Sequence, residues 1–158
     1  MATVALYGQG VLLQVALRGD TSPYDFQTIA DVDSIDGPTG VATPLDVTSH
    51  SSPSGSKEFI SGPRDYGSME FGIFFNPSNL THKYFDGIGA SPDDQDGILY
   101  MFVNGATYHW RVQFPQTSPD TQWELDGFVE KFQASFPVDG PMRAETSIKL
   151  SGVPDFIA

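Results

Sequence analysis

The sequence contains no cysteine among its 158 residues. Disulfide bonds and thiolate metal sites are therefore excluded, which suits folding in a reducing compartment. No apolar run approaches the ~20 residues of a membrane-spanning helix. Residues 1–10 lack the basic start and apolar core of a signal peptide. We therefore expect a soluble protein that forms one domain over residues 1–158 and folds in the cytoplasm.

Basic residues are scarce as well. The chain has 8 Lys and Arg against 20 Asp and Glu, a net charge of −12. Proteins that grip nucleic acid use clustered positive charge to displace counterions from the phosphates. Here the basic residues are scattered singly along the sequence. Strong binding of DNA or RNA is therefore not expected, whereas repulsion of nucleic acid stays compatible with the composition.

Recognisable catalytic and metal-binding motifs are missing too. The three histidines are His50, His82 and His109. No two of them have metal-ligand spacing, and there is no Gly-x-Ser-x-Gly elbow for a nucleophilic serine. The acidic run 93–98 resembles a calcium loop, but Pro92 and Val103 would occupy its first and twelfth ligand positions. We therefore expect no enzyme, no cofactor and no metal site.

What the sequence does contain is alternation of apolar and polar residues. The alternation is clearest in residues 67–75, 107–114 and 144–150, and weaker in 11–17 and 26–35. A period of two is typical of half-buried antiparallel strands. Residues 123–136 also alternate, but the apolar phase changes at Gly127. This change predicts a β-bulge or sharp bend at Gly127 in a long curved strand.

One segment has the pattern of a helix. Residues 91–94 offer an N-cap serine, a proline at the first helical position and acids in the first turn. The predicted inward face then comprises Ile98, Leu99, Phe102 and Val103. Asn104 and Gly105 should end the helix. Together these patterns predict a mainly β fold, an antiparallel β-sandwich or small barrel with one flanking α-helix.

The connection after the strand-like residues 44–48 is unusually long. A serine- and glycine-rich run follows at 48–56, then two adjacent apolar residues, Phe59 and Ile60, and a Gly-Pro turn. About twenty residues pass before the chain is firmly back in a sheet, and loops of that length are usually functional or disordered. The sequence thus predicts a long inter-strand loop that is either functional or disordered.

The same stretch carries a family resemblance. Its motif residues are Asp46 to His50, Ser52-Pro53, Lys57 to Ile60, Gly62, Asp65 and Gly67, with further matching pieces at 35–38, 110–115 and 147–154. This order resembles the tail tube (major tail) proteins of long, non-contractile-tailed bacteriophages. The similarity covers the chain from about Ile29 to the C-terminus. Gene transfer agents and tail-like bacteriocins use related tubes, so the resemblance does not select among these particles.

The resemblance implies both a fold and an assembly. It implies a β-sandwich with a flanking helix, whose copies form hexameric rings that stack into a hollow tail tube. Sheets of neighbouring subunits would join edge to edge around a lumen, through which DNA passes without specific binding. The implied partners are further copies of the chain, a tape-measure protein, a tail terminator and tail tip proteins. The implied location is the virion tail, assembled in the host cytoplasm.

The resemblance also gives the long loop a role. It implies an arm over about residues 48–65 that reaches a neighbouring subunit and is mobile in the free one. The candidate arm residues are Asp46, Thr48, His50, Ser52, Pro53, Lys57, Phe59, Ile60 and Arg64. Phe59 and Ile60 would fill a pocket on the neighbour. The competing interpretation is that both pack against their own domain and that 51–56 is an idle tip.

The acidic balance has a matching interpretation. A channel that passes DNA quickly should not bind phosphates, so an acidic wall is favourable there. We hypothesise that acids of the strand candidates face the lumen: Asp31, Asp33, Glu70 and Glu145. The alternative is that they are ordinary solubility charges. Two other functions also stay open: a head–tail or distal tail component of the same fold, and a carbohydrate-binding β-sandwich that stacks sugars on Trp110 and Trp123.

Overall fold

The computed structural model describes residues 8–16, 24–85, 96–115 and 121–157. Its strands are β1 (Leu12–Ala16), β2 (Phe26–Thr28), β3 (Val32–Asp36), β4 (Val41–Asp46), β5 (Phe59–Asp65), β6 (Ser68–Phe74), β7 (Tyr108–Phe114), β8 (Thr121–Ser135) and β9 (Arg143–Ile157). A 3₁₀ turn spans Pro53–Gly55, and the helix α1 spans Ile98–Asn104. The predicted mainly β class with a helix is confirmed.

Seven strands form one antiparallel sheet in the order β2-β1-β7-β8-β9-β6-β3. The strongest alternations in the sequence become β6, β7 and the first half of β9. The candidate strand 26–35 is instead two strands, because the chain turns at Asp31, where φ is +55°. β4 and β5 pair only with each other and form a separate two-stranded sheet.

The sheet curves around a core made by the inward faces of its strands. The largest side chains in that core with almost no exposed surface include Trp110, Leu13, Met69, Ile73, Leu125 and Ile148. Each such burial contributes about 1.5–3 kcal/mol relative to an exposed side chain. The Trp110 indole Nε1 donates to the carbonyl oxygen of Gly127 at 3.1 Å, so its one polar atom is satisfied. Trp110 thereby ties β7 to the middle of β8.

Helix α1 is shorter than the sequence predicted. It begins after Gly97 and ends at Gly105, whose φ of +71° gives the left-handed cap expected there. Ile98 and Met101 are buried, and Leu99 is half-buried. The predicted inward positions Phe102 and Val103 are wrong, because both are exposed. A helix of seven residues makes about two turns, so it can bury only a narrow stripe of side chains. The predicted N-terminal residues 91–94 lie outside the described ranges.

The predicted bulge in β8 exists three residues later than expected. Val129 pairs with Ile148 and Lys131 with Ser147, so Glu130 is the extra residue. The inward positions change there from Leu125, Gly127 and Val129 to Phe132 and Ala134. The Glu130 carboxylate Oε1 accepts hydrogen bonds from Ser68 Oγ at 2.9 Å and Ser147 Oγ at 3.0 Å. A second register shift lies between Glu124 and Asp126.

Gly127 is needed for close packing of the backbone. A Cβ there would lie 2.6 Å from the Lys149 carbonyl oxygen and 2.7 Å from Ile148 Cγ2. We therefore expect Gly127→Ala to destabilise the fold by about 1–3 kcal/mol, the usual cost of overpacking. Urea unfolding measures this. The matched control is Gly8→Ala, where an added Cβ meets nothing within 4 Å; equal stabilities of the two variants would contradict the explanation.

Candidate assembly interface

The long inter-strand connection is a hairpin that projects beyond the seven-stranded sheet. β3 pairs with β6 as far as Asp36 and Glu70. After short irregular links, the same two chain segments pair again as β4 and β5, from Val41 opposite Asp65 to Asp46 opposite Phe59. We call residues 41–65 the arm. The predicted start at Thr48 is too late, because β4 already belongs to the projecting hairpin.

The base of the arm is fastened to the sheet through Asp65. Its carboxylate oxygen Oδ1 accepts hydrogen bonds from Lys149 Nζ and from the Gly67 backbone N–H, each at 2.8 Å. The hydrogen bond from Lys149, then that from Gly67, and then the Lys149 charge lower the pKa of Asp65 below its ordinary 3.8. These contacts join the end of β5 to β9.

The Asp65 contacts should make part of the stability pH-dependent. Because the folded pKa is lowered, their contribution is present above pH 3.8, the ordinary value, and is lost as the pH falls through the folded pKa. We expect Asp65→Asn to lower the melting temperature at pH 7, with the difference from wild type disappearing at pH values below that folded pKa. Asp139→Asn is the control, since Asp139 has no ion pair among the described residues. A difference that persists in acid would contradict this.

The serine-rich end of the arm is held by its own hydrogen bonds. The Glu58 N–H donates to Thr48 Oγ1 at 2.9 Å, and Ser52 Oγ donates to Glu58 Oε2 at 2.6 Å. Thr48 N–H donates to Asp46 Oδ1 at 2.9 Å. Hydrogen bonds from the side chain and then the backbone of Thr48 lower the pKa of Asp46. Pro53 begins the 3₁₀ turn, while His50, Lys57 and Arg64 are exposed.

The arm has two faces, and both are exposed. Leu45 lies opposite Ile60, and Asp46 lies opposite Phe59. Cross-strand partners share a face, and successive residues alternate between faces. Phe59 and Ile60 therefore point in opposite directions. Neither is buried against the domain, since they are 56% and 54% exposed.

One face of the arm carries four exposed apolar side chains among polar ones, since Thr43 lies between Val41 and Leu45, and Asp65 and Glu58 lie opposite Val41 and Val47. The four side chains are Val41, Leu45 and Val47 of β4 and its extension, and Ile60 of β5, each between 44% and 64% exposed. We call them the arm stripe. The other face is mixed and carries Pro44, Asp46, Phe59 and Arg64. Gly62 lies beneath Leu45, where a Cβ would sit 3.0 Å from Leu45 Cγ.

Exposed apolar side chains also lie at the far end of the same strands, on both faces of the sheet. β6 runs from Ser68, next to the arm, to Phe74, which pairs with Arg143 at the start of β9. The β8–β9 turn is therefore at the end opposite the arm, about 20 Å away at the rise of a strand. These exposed side chains, which we call the tip patch, are Phe74, Phe136, Val138 and Met142. Phe74 lies on the outward face near Arg143, whereas Phe136 lies on the inward side near Phe75.

The four acids that the sequence suggested for a lumen lie at different sites. Glu70 and Glu145 are exposed on the outward face of β6 and β9, where Glu145 pairs with Gly72, two residues along β6 from Glu70. Asp33 forms an ion pair with Arg143. Asp31 is exposed in the β2–β3 turn, where its carbonyl accepts from the Phe74 N–H at 2.9 Å. Glu70 and Glu145 thus share one open surface, and the Asp33 carboxylate lies on the same side of the sheet beside Gly72.

That surface contains charges that sequence reasoning missed. The strand register places Asp36, Glu70, Ser147 and Lys131 in one row across β3, β6, β9 and β8. The row borders a depression of about 130 Å³, lined also by Glu145 and Arg143. The face is therefore mixed in charge, with Lys131 and Arg143 among its acids. No signal in a single sequence gives the register that brings these residues together.

The other polar face belongs to β7 and its neighbours. His109 Nδ1 lies 2.5 Å from Asp126 Oδ1, and its Nε2 lies 3.4 Å from Glu124 Oε2. Arg111 Nε donates to Gln14 Oε1 at 2.7 Å, and burial lowers the pKa of Arg111. Asp126 and Glu124 thus contact opposite nitrogens of the His109 ring. Nowhere in residues 8–16, 24–85, 96–115 and 121–157 do three such groups converge as metal ligands.

The tryptophans are placed poorly for stacking sugars. Trp110 has no exposed surface. Trp123 is half-buried, and it contacts Phe114 and Phe156 edge-to-face with ring centroids 5.0 Å and 5.2 Å apart. Neither ring forms an open, flat platform. Within the described ranges, no helix is both long enough and apolar enough to span a bilayer.

Comparison with solved structures identifies the fold. The chain is similar to a protein in the tail of an empty GTA particle determined with C6 symmetry: 20% identity, 98% of this chain and 100% of the other covered, TM-score 0.69. It is also similar to the SPP1 tail tube protein, with 12% identity, 96% and 80% coverage and a TM-score of 0.62. An anti-feeding prophage baseplate protein matches at 9% identity, 99% and 98% coverage and TM-score 0.59.

The fold is thus the tail tube fold, as the sequence resemblance implied. The similarity runs over nearly the whole length of this chain and of the GTA protein. No family model matches the sequence. No curated protein matches it either.

Proposed function

We propose that this chain is a structural subunit of a tail tube. Its copies form hexameric rings that stack into a hollow tube in the virion tail, and DNA passes through the tube without specific binding. The observation that carries this proposal is the full-length similarity of fold to a tail determined with C6 symmetry. The chain acts as one domain with a projecting arm and has no catalytic role.

The strand arrangement supports assembly through sheets. Among the described residues, the seven-stranded sheet ends at β2 on one side and β3 on the other, and β6 pairs with β9 only as far as Lys149. Open edges normally invite pairing with another chain. In a tube, each edge is covered by the next subunit, so that edge pairing becomes part of the ring. The arm residues Asp46 to Arg64 are then available for contacts beyond the sheet.

The proposal includes partners that the assembly needs. A tape-measure protein occupies the lumen during assembly, a terminator closes one end, and tip proteins start the other. Assembly takes place in the host cytoplasm. The similarity to a baseplate protein favours a second candidate, a ring of the same fold at the end of a tail. The two candidates differ in copy number, because a tube needs many stacked rings.

Electron microscopy of the concentrated protein, with sedimentation of the same sample, tests the proposal. We expect rings and hollow tubes with a central channel and six-fold symmetry. Single rings that never stack would favour the tail-end candidate. A protein that stays monomeric at millimolar concentration, with and without a crowding agent, would overturn the proposal.

The outward face of β6 and β9 is the part of the molecule that we assign to the lumen wall. We expect Glu70→Lys combined with Glu145→Lys to leave tubes intact and to reduce DNA delivery by about tenfold or more, because each new cation binds phosphates that must be released again. Delivery to recipient cells and tube counts by electron microscopy measure this. Asp155→Lys, beyond the segment of β9 that pairs with β6, is the control. Normal delivery by the double variant would count against the assignment.

A further inference from the structure

An apolar groove of about 720 Å³ lies between β3 and the neighbouring ends of β1, β7 and β8. Its volume falls within the range of about 300–1,000 Å³ that is usual for binding clefts. Every apolar side chain of the lining either belongs to the buried core or packs against it. These side chains are Val11, Val32, Ile35, Val112, Phe114 and Trp123. The groove is therefore an opening into the core of the domain.

The groove runs along one edge of β3. Four consecutive residues, from Val32 to Ile35, line it. Because successive side chains of a strand point to opposite faces, a surface that contacts all four follows the edge of the strand. Among the described residues, β3 pairs with β6 on one side only, and the groove lies on the other side. An occupant could thus bury apolar side chains and also hydrogen-bond to the backbone of β3.

The described part of the chain begins at the wall of this groove. The residues from Gly8 to Val11 line it, and the Val11 N–H donates to the Gly8 carbonyl oxygen at 3.3 Å, which closes a turn. Residues 1–7 are therefore attached directly to the groove. Seven extended residues reach at most about 25 Å, and the five residues of β3 span about 17 Å. Residues 1–7 are thus long enough to follow β3 from end to end.

The composition of residues 1–7 suits an apolar groove. They read Met-Ala-Thr-Val-Ala-Leu-Tyr, and the first charged side chain of the chain is Arg18. A charged side chain would enter such a groove only at a large cost in desolvation. In an extended segment, Val4 and Leu6 would lie on one side and Thr3 on the other. The segment therefore offers one apolar side to the groove.

We propose that residues 1–7 dock in the groove of their own subunit and cover the edge of β3 until a neighbouring copy takes that edge. Val4 and Leu6 enter the groove beside Trp123. The docked segment thereby restrains self-association of the free subunit. The restraint rests on the proposed tube function, in which the edge of β3 joins the next subunit, whereas the docking does not depend on it.

Tryptophan fluorescence tests the docking. The chain has two tryptophans. Trp110 has no exposed surface, whereas Trp123 is half-buried and lines the groove. Quenching by acrylamide in dilute, monomeric protein therefore reports on Trp123. We expect deletion of residues 2–7 to raise the quenching constant at least about twofold, because a filled cleft is shielded from solvent.

A synthetic peptide of residues 1–7 should restore the protection when it is added to the deletion variant. An unchanged quenching constant after the deletion would overturn the docking. Protection of the wild type that grows with protein concentration would identify a second copy as the occupant and would overturn it as well.

Two single substitutions give a matched comparison. Leu6→Asp puts a charge on the side of Val4, and Thr3→Asp puts the same charge on the other side. We expect Leu6→Asp to expose Trp123 as the deletion does and Thr3→Asp to keep the wild-type quenching constant. Circular dichroism and thermal melting check that both variants fold. Equal quenching constants for the two variants would contradict the entry of Val4 and Leu6 into the groove.

The protein concentration at which rings appear tests the restraint. A binding edge that is accessible for only a fraction of the time weakens the apparent affinity by that fraction. We expect deletion of residues 2–7 to lower the required concentration at least about threefold, and Thr3→Asp to leave it unchanged. If the wild type forms rings and the deletion does not lower this concentration, the tube function stands and the restraint is overturned. If neither protein forms rings, the proposed function and the restraint fail together, and the fluorescence alone decides the docking.

Discussion

Removal of the arm is expected to abolish tubes while leaving the subunit folded. Val41 and Asp65 are directly paired, so replacing residues 42–64 with Asn-Gly closes the ladder with a two-residue hairpin turn. The deleted residues contribute no member of the buried core. The shortened protein should therefore keep the wild-type circular dichroism spectrum and a similar melting temperature.

Sedimentation and electron microscopy of the shortened protein measure the effect. We expect no tubes at concentrations where the wild type forms them, because the exposed apolar side chains of the arm are then no longer available to a neighbouring subunit. A matched control deletes only residues 51–56 and keeps the arm stripe. Tubes of normal length from the 42–64 replacement would show that stacking does not use the arm.

The largest loss of stability is expected for Trp110→Ala. Trp110 has no exposed surface, and its indole donates to the Gly127 carbonyl. Substitutions of buried Phe or Trp by Ala typically cost about 3–5 kcal/mol, which is a large share of the ~5–15 kcal/mol stability of a domain. Here the substitution would also leave the Gly127 carbonyl oxygen without this donor.

Urea unfolding compares this variant with Trp123→Ala. Trp123 is half-buried at the edge of the core, so its loss should cost clearly less than the loss of Trp110. Trp110→Phe keeps most of the volume and should recover part of the difference. A smaller effect for Trp110→Ala than for Trp123→Ala would contradict the assignment of Trp110 to the centre of the core.

The strands that could be predicted from the sequence are those with one buried face. β6 and β7 alternate cleanly because Met69, Phe71 and Ile73, and Tyr108, Trp110 and Val112, all point into the core. The Leu45 and Val47 alternation has the same appearance, yet both side chains are exposed. Periodicity gives the face of a strand but not whether another surface covers that face.

Two errors have local physical causes. Gly127 suggested a bulge. The residue is glycine for another reason, because the Lys149 carbonyl oxygen and the Ile148 side chain lie too close for a Cβ. The true bulge residue is Glu130, which has an ordinary side chain held by two serines. In helix α1, Met101 rather than Phe102 turns inward, and only the position of the helix against β8 decides that choice.

The candidate surfaces were predicted only in part. The arm itself was visible as a long, serine-rich connection, but its start at Val41 depends on pairing between β4 and β5. The tip patch was not predicted, because Phe74 and the β8–β9 turn are far apart in sequence, and only the register of β6 with β9 places them at the same end of the sheet. The row of Asp36, Glu70 and Lys131 could not be predicted from the sequence for the same reason.

Placing the arm and the tip patch at opposite ends of the same strands gives any stack of this subunit a direction. In the proposed stack, the ring at one end would present the arms, and the ring at the other end would present the β8–β9 turns. Proteins that bind the two ends would therefore meet chemically different surfaces.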